Sequence, residues 1–238
     1  MSVALQALYV LASGGKRALE QLDVTANNIA NVNTPGFKRI FEEEMSQHIP
    51  NNRGDAYNLL IFPRFKATHV VLTQGALKKT GNPLDLALKG EGFFAVKTKA
   101  GEVYTRNGHF FLSADGKLVD ANGNPVLSID DREIELNPDK PVTINKDGII
   151  YQGKQRVAVL KVVTFQKVAP LGNSYYQGQG TPQATDAAVL QGYLESSNVD
   201  PVKEMVSLIE AQRRFEMYGN LIRGLDRLNE KSNEIGRV

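Results

Sequence analysis

The hydrophobic rhythm of this chain changes twice. From the start, Leu5, Leu8, Ala12, Leu19, Leu22, Ala26 and Ile29 fall three or four residues apart once Gly15 is counted between Ala12 and Leu19. That spacing puts them on one stripe of a helix, as a heptad seam. Gly15, next to Gly14, predicts a bend or a loosening at that point. The helix is expected to stop at Asn33-Thr34-Pro35-Gly36, because proline disfavours helical geometry at Thr34 and glycine permits a turn.

A second helix is predicted near the other end. Asp200 suits its N-cap, Pro201 its first helical position, and Glu204 adds negative charge to its first turn. Val202, Met205, Val206, Ile209 and Phe215 mark one apolar stripe. Tyr218, Leu221, Leu225, Leu228 and Ile235 mark another in a different phase, which predicts a stutter between Phe215 and Tyr218. Run continuously to Lys231, the helix is about 45 Å long. Such stripes must be covered by each other, by the middle of the chain, or by neighbouring chains.

Between the ends the pattern is that of short strands and tight turns. Phe93-Phe94-Ala95-Val96, Val103-Tyr104-Thr105, Phe110-Phe111-Leu112, Val142-Thr143-Ile144 and Ile149-Ile150-Tyr151 alternate with Asn-Gly, Asp-Gly and Ala-Gly pairs. Asn107-Gly108 reads as a type I′ hairpin turn. Val157 to Phe165 is the longest β-rich run, and the density of turns indicates a sandwich or barrel. Gly172 to Asp186 is polar and reads as a return connection.

Composition narrows the chemistry. Of 238 residues 42% are apolar, enough for a core, and a formal charge of +2 gives no basic face for nucleic acid. Cysteine is absent, which removes disulfides, thiolate metal sites and thiol nucleophiles. The first residues lack the basic region of a secretory signal peptide, so export by the general secretory route is not expected. No stretch is long and apolar enough to span a bilayer. His48, His69 and His109 have no metal-ligand spacing. Asp120, Asn122 and Asn124 imitate the start of a calcium loop, but Pro125 stands where that motif needs glycine. Gly90-Glu91-Gly92 precedes a strand and reads as a turn, not a nucleotide loop. A hydrolase built on Asp130 and Asp131 is disfavoured, because adjacent side chains on a strand point to opposite faces. An adhesin-like binding module is a further alternative.

Four ordered blocks carry a resemblance. Ala26-Asn27-Asn28-Ile29-Ala30-Asn31-Val32-Asn33-Thr34-Pro35-Gly36-Phe37-Lys38 resembles the N-terminal signature of the flagellar basal-body rod and hook proteins. Leu86 to Val96 and Tyr104 to Phe110 resemble that family's β-domain blocks. Ser197-Asn198-Val199-Asp200 with Gln212 to Glu216 resembles its C-terminal helix. Within the family, Asn82 to Leu88 and Arg213 to Met217 look more like the proximal rod members than the distal ones. The stretch from Phe37 to Leu86 is also short for a distal-rod extension. A distal-rod or hook-type paralogue is the alternative.

The resemblance implies an α+β fold. In it, long N- and C-terminal helices pair as a coiled-coil-like domain, with a central all-β domain of short antiparallel strands. Residues 1–36 and 198–238 would form the helical domain, 37–74 and 172–197 the connections, and 75–171 the β domain. It implies a structural subunit of the flagellar rod, without catalysis or cofactor. Such a subunit leaves through the flagellar type III export apparatus and polymerises into the hollow, periplasm-spanning shaft. Its partners would be copies of itself, other rod proteins and the export apparatus, with no nucleic acid, small-molecule substrate or membrane insertion. The expected assembly surface is Leu5, Leu8, Ala12, Leu19, Leu22, Ala26, Ile29, Val202, Met205, Ile209, Phe215, Leu221, Leu225 and Leu228. The motif residues Asn27, Asn28, Asn31, Thr34, Pro35, Gly36 and Phe37 are expected to set the exit from the first helix. Thr34 to Phe37 can form a type II turn with Gly36 at positive φ, and Gly36→Asn is then expected to be milder than Gly36→Val.

Overall fold

A computed structural model describes residues 3–48 and 61–235. It divides into two units. A helix unit takes Met1–Ala30, Ile40–His69 and Asp200–Val238, and a β unit takes Asn31–Arg39 and Val70–Val199.

The helix unit holds α1 (Val3–Ala30) and α2 (Pro201–Ile235), with a two-stranded ribbon of β1 (Ile40–His48) and β2 (Ile61–Val70). α2 starts as its local chemistry dictates. The Asp200 carboxylate accepts the N–H groups of Val202 at 3.1 Å and Lys203 at 3.2 Å, which would otherwise lack partners in the first turn. The backbone N–H of Lys203, foremost, holds the Asp200 pKa below the usual carboxylate value.

α1 is not interrupted at its glycine pair. Gly14 is instead a seat for a ring, since a Cβ there would lie 2.5 Å from the Tyr218 side chain. Further along, Gln21 meets Arg214 at 3.2 Å and Asn28 meets Glu204 at 3.2 Å. These three pairs make the two helices antiparallel.

The contact overturns the expected coiled-coil-like domain. The face of α1 turned inward carries Gly14, Ala18, Gln21, Thr25 and Asn28, one residue before each expected seam position, or about 100° around the helix. Close approach of two backbones needs small residues, so the stripe that is covered is small and polar while much of the apolar seam lies outside it. On α2, Ala211 and Glu204 are buried, whereas Val202, Met205 and Ile209 are exposed. The unit also contains the β1–β2 ribbon, which a purely helical domain would lack.

The β unit is built on a six-stranded antiparallel sheet. Its spatial order is Lys167–Gly172, Tyr175–Gln179, Gly101–Thr105, Phe93–Thr98, Val162–Thr164 and Gln183–Ala184. Strand alternation sends Phe94 into one core with Phe110, Leu118, Ile134 and Ile150. Its neighbours Phe93 and Ala95 enter a second core with Tyr104, Phe165 and Tyr176. Both faces of this strand are therefore covered, which explains its unbroken apolar run. A three-stranded sheet joins Gln155–Val159, Ile149–Gln152 and Val142–Ile144. The run Val157 to Phe165 thus serves two sheets, leaving one at Val159 and entering the other at Val162.

Asn107-Gly108 is not a type I′ turn, for neither residue has positive φ. Gly108 lies against the backbone of the Leu86–Lys89 strand, where a Cβ would fall 1.7 Å from the Leu86 carbonyl oxygen. Glycine is needed there for close backbone approach. The polar loop at Asp120 is a side-chain knot: one carboxylate oxygen accepts the N–H groups of Asn122 and Asn124, both at 2.9 Å. Tyr175 donates its hydroxyl to the other oxygen. The Gly172 to Asp186 stretch contributes the Tyr175–Gln179 and Gln183–Ala184 strands.

Candidate assembly surfaces and a buried polar clasp

In the helix unit the expected surface residues divide by burial. Leu8, Leu22, Ile29 and Leu225 are half-buried. Ala12, Leu19, Ala26, Val202, Met205, Ile209, Phe215, Leu221 and Leu228 are exposed. The Leu5 side chain lies outside the described residues. Val202 is 68% exposed and Ile209 50%, beside a third bare aliphatic residue, Val206. α2 therefore has two apolar faces, one turned to α1 through Ala211 and Tyr218 and one left bare.

Asn28 closes the base of the ribbon. Its Oδ1 accepts the Ile40 N–H at 2.9 Å, and its Nδ2 donates to the Ile40 carbonyl at 2.8 Å and to Glu204 at 3.2 Å. The side-chain amide thus stands in for a neighbouring strand at the first residue of β1. An isolated two-stranded ribbon is marginal in water, so such an anchor stabilises it. Asn28 and Glu204 are both buried.

Of the other motif residues, Asn27 lies on α1, and Asn31, Thr34, Pro35, Gly36 and Phe37 form a turn in the β unit. Thr34 donates its N–H to the Asn31 carbonyl at 3.1 Å and its hydroxyl to the Asn31 side chain at 3.2 Å. The Phe37 N–H reaches the Thr34 carbonyl at 3.2 Å, Gly36 has φ +69°, and Phe37 is buried. The turn is as expected, with Pro35 half-buried within it, and Asn27 is exposed. Tolerance of positive φ, the reason to expect Gly36→Asn to be milder than Gly36→Val, is not the only demand at this position. A Cβ there would lie 2.3 Å from the Arg106 carbonyl carbon, so space excludes any side chain whatever its tolerance of positive φ.

Next to this turn lies a cluster that the motif search did not single out. Glu195, buried completely, receives Lys38 Nζ at 2.6 Å and Arg106 Nε at 2.6 Å. The Gly75 N–H also donates to it at 2.8 Å. Two buried cations on one carboxylate leave positive charge in excess, and backbone carbonyl oxygens meet it. Thr73 accepts Lys38 Nζ at 2.7 Å, Leu88 and Gly90 accept Arg106 Nη2 at 3.1 and 2.6 Å, and Gly92 accepts Nη1. The Gly90-Glu91-Gly92 turn is thus wrapped around a guanidinium. Burial pulls the Lys38 pKa below its ordinary value, against the pull of Glu195. Tyr176 accepts the Lys38 N–H at 2.9 Å, and burial pushes its own hydroxyl pKa up. Asn198 accepts the Arg39 N–H at 2.7 Å and donates to the Val71 carbonyl at 2.8 Å. Lys38, Arg106 and Asn198 sit inside three of the four motif blocks, and Glu195 two residues before the last. The signal that could have found them is a charged residue inside or ending an apolar strand pattern, as in Val103-Tyr104-Thr105-Arg106 and Tyr193-Leu194-Glu195.

Asp131 pairs with Lys161 at 2.5 Å while Asp130 is exposed, so these two carboxylates do not work as a pair. Among the described residues no group of His, Asp or Glu could hold a metal ion.

Comparison with known proteins decides the family. The model for the flagella basal body rod protein matches residues 8–38. That for the flagellar hook protein FlgE/F/G D1 domain matches 87–152, and that for the flagellar basal body rod FlgEFG protein C-terminal matches 190–235. Flagellar basal-body rod protein FlgF of Caulobacter vibrioides is 38% identical, with 98% of each chain covered. The chain belongs to the flagellar basal-body rod proteins. FlgF of Mesorhizobium japonicum is 35% identical over 91% of each chain. FlgG of Agrobacterium fabrum is 33% identical, with 94% of this chain and 97% of the relative covered. The protein is a structural subunit of the flagellar basal body that assembles with other rod proteins. The rod turn, Asn31 to Lys38, and the clasp bring all three matched segments together within the β unit.

Proposed function

We propose that the exposed apolar faces of α1 and α2 are the surfaces by which this rod subunit joins copies of itself and other rod proteins into the hollow axial shaft. The observation that supports this is the second apolar face of α2, with Val202, Met205, Val206 and Ile209 all bare on the isolated chain. A soluble monomer rarely leaves such a run open. Each of these side chains is already partly covered, so completing its burial contributes about 1–2 kcal/mol, and a neighbouring subunit can supply the cover. On α1, Ala12, Leu19 and Ala26 are likewise exposed, one residue along the helix from the positions that face α2. The subunit acts as a structural element and not as an enzyme. It leaves the cell interior through the flagellar export apparatus, in a chain free of cysteine, and takes its place in the part of the rod that crosses the periplasm. No helix among the described residues is long and apolar enough to cross a membrane.

Ile209→Asp and Leu19→Asp test the proposal. Both side chains are exposed, so the isolated variants keep their unfolding midpoints, within about 0.5 kcal/mol of the parent. Neither variant enters the rod of a strain lacking the native subunit, and that strain stays non-motile. Normal rod assembly by both variants refutes the proposed surfaces.

A further inference from the structure

The chain passes between the two units four times: after Ala30, after Arg39, after His69 and after Val199. On the β-unit side every passage ends within a few residues of the buried clasp. The turn from Asn31 delivers Gly36, whose N–H reaches the Glu195 carbonyl at 2.7 Å. Arg39 donates to Asn198 and accepts the Val71 N–H at 2.8 Å. Val71 in turn accepts Asn198 Nδ2, and Asn198 precedes Val199, which is buried. The Asn198 N–H returns to the Phe37 carbonyl at 3.4 Å. Three chain segments far apart in sequence thus share one set of hydrogen bonds, with Glu195 as the anion common to both buried cations.

We propose that the Lys38–Glu195–Arg106 clasp ties the four passages into one cooperative element, with Glu195 as its positioning residue. Each segment supplies groups that another must satisfy. Removing the Glu195 charge leaves two buried cations facing each other without an anion, a severe defect for groups taken out of water. The passages then loosen together rather than one at a time. Nearby strands are held separately by the apolar cores and stay closed.

Amide hydrogen exchange on the full chain tests this, with Glu195→Gln as the perturbation. The Ser196 N–H, beside Glu195, is held by the Ala76 carbonyl at 2.8 Å. Exchange at Gly36, Arg39, Val71, Ser196 and Asn198 is expected to rise together, each on the order of 100-fold or more. Leu118 and Val126, whose amides pair inside the first core, keep their rates. Lys38→Met provides a milder perturbation, because Glu195 and Arg106 remain balanced one to one. Exchange at the same five amides then rises by a common and smaller factor. In the Lys38→Met background Glu195→Gln strands one cation instead of two, so its added effect is smaller than in the parent. The proposal is overturned if either variant loosens only the residues bonded to the altered side chain. It is equally overturned if the two substitutions act independently. Should Glu195→Gln fail to fold, the common or local pattern in Lys38→Met decides.

Discussion

Gly36 and Gly153 offer a controlled test of how tightly the turn after α1 is seated. Their backbones are nearly alike, with φ of +69° and +64°. Their surroundings differ: a Cβ on Gly36 would lie 2.3 Å from the Arg106 carbonyl carbon and 2.4 Å from the Asn107 nitrogen, while Gly153 has nothing within 4 Å. Alanine at either position carries the strain of positive φ, roughly 1–3 kcal/mol. Only at Gly36 does it also press on backbone, which has no rotamer to escape into, for a further 1–3 kcal/mol or so. Gly36→Ala should therefore cost roughly 2–6 kcal/mol and Gly153→Ala roughly 1–3. Asparagine relieves the φ strain at Gly153 but leaves the collision at Gly36. Urea unfolding measures both, followed by far-ultraviolet circular dichroism and by the fluorescence of the eight tyrosines, undisturbed by tryptophan. Two probes are needed because a chain of two units need not unfold in one step. Equal losses at the two positions, or Gly36→Asn as mild as Gly153→Asn, would refute the steric argument.

Other outcomes follow from the same geometry. Gly14→Ala should gain the helix propensity of about 1 kcal/mol only when Tyr218 is also alanine, because the ring occupies the space over Gly14; additive effects in a double-mutant cycle on thermal melts would argue against the seat. Asn28→Asp removes both donors and sets a carboxylate beside Glu204, so it should cost about 1–3 kcal/mol in urea unfolding, and an unchanged midpoint would contradict the anchor. Burial and the hydrogen bond to Glu102 raise the Tyr104 pKa from 10.0 to about 12, so the fold favours its neutral form. That contribution is fully present below pH 10 and lost as pH rises toward 12. Tyr104→Phe should accordingly lose less stability across this window, and an identical alkaline decline in both proteins would count against it.

The sequence made local features legible and long-range ones not. The start of α2 could be read because Asp200 bonds to amides two and three residues away, and the Gly36 turn because four residues contain its whole geometry. The helical period of α1 was also readable. Its partner face was not, because a tight helix contact selects small residues at Gly14 and Ala18 over the leucines beside them. The clasp was hidden by distance: Glu195 lies 157 residues from Lys38 and 89 from Arg106. Each charge alone reads as surface, and only the fold brings them together. Asn107-Gly108 misled for a related reason. The pair has turn chemistry, but Gly108 is required by the Leu86 backbone passing beside it.

In the assembled rod the bare apolar face of α2 is expected to be covered by a neighbouring subunit. The chain has no native cysteine, so a single Ile209→Cys substitution gives an unambiguous probe. Maleimide labelling of that thiol would be compared between the purified subunit and intact basal bodies, with Lys154→Cys on the exposed turn of the β unit as a reference for ordinary access. Rapid labelling of Ile209→Cys in the free subunit, and at least tenfold protection relative to Lys154→Cys in the rod, is the expected result. Equal labelling of Ile209→Cys in both states would contradict the claim.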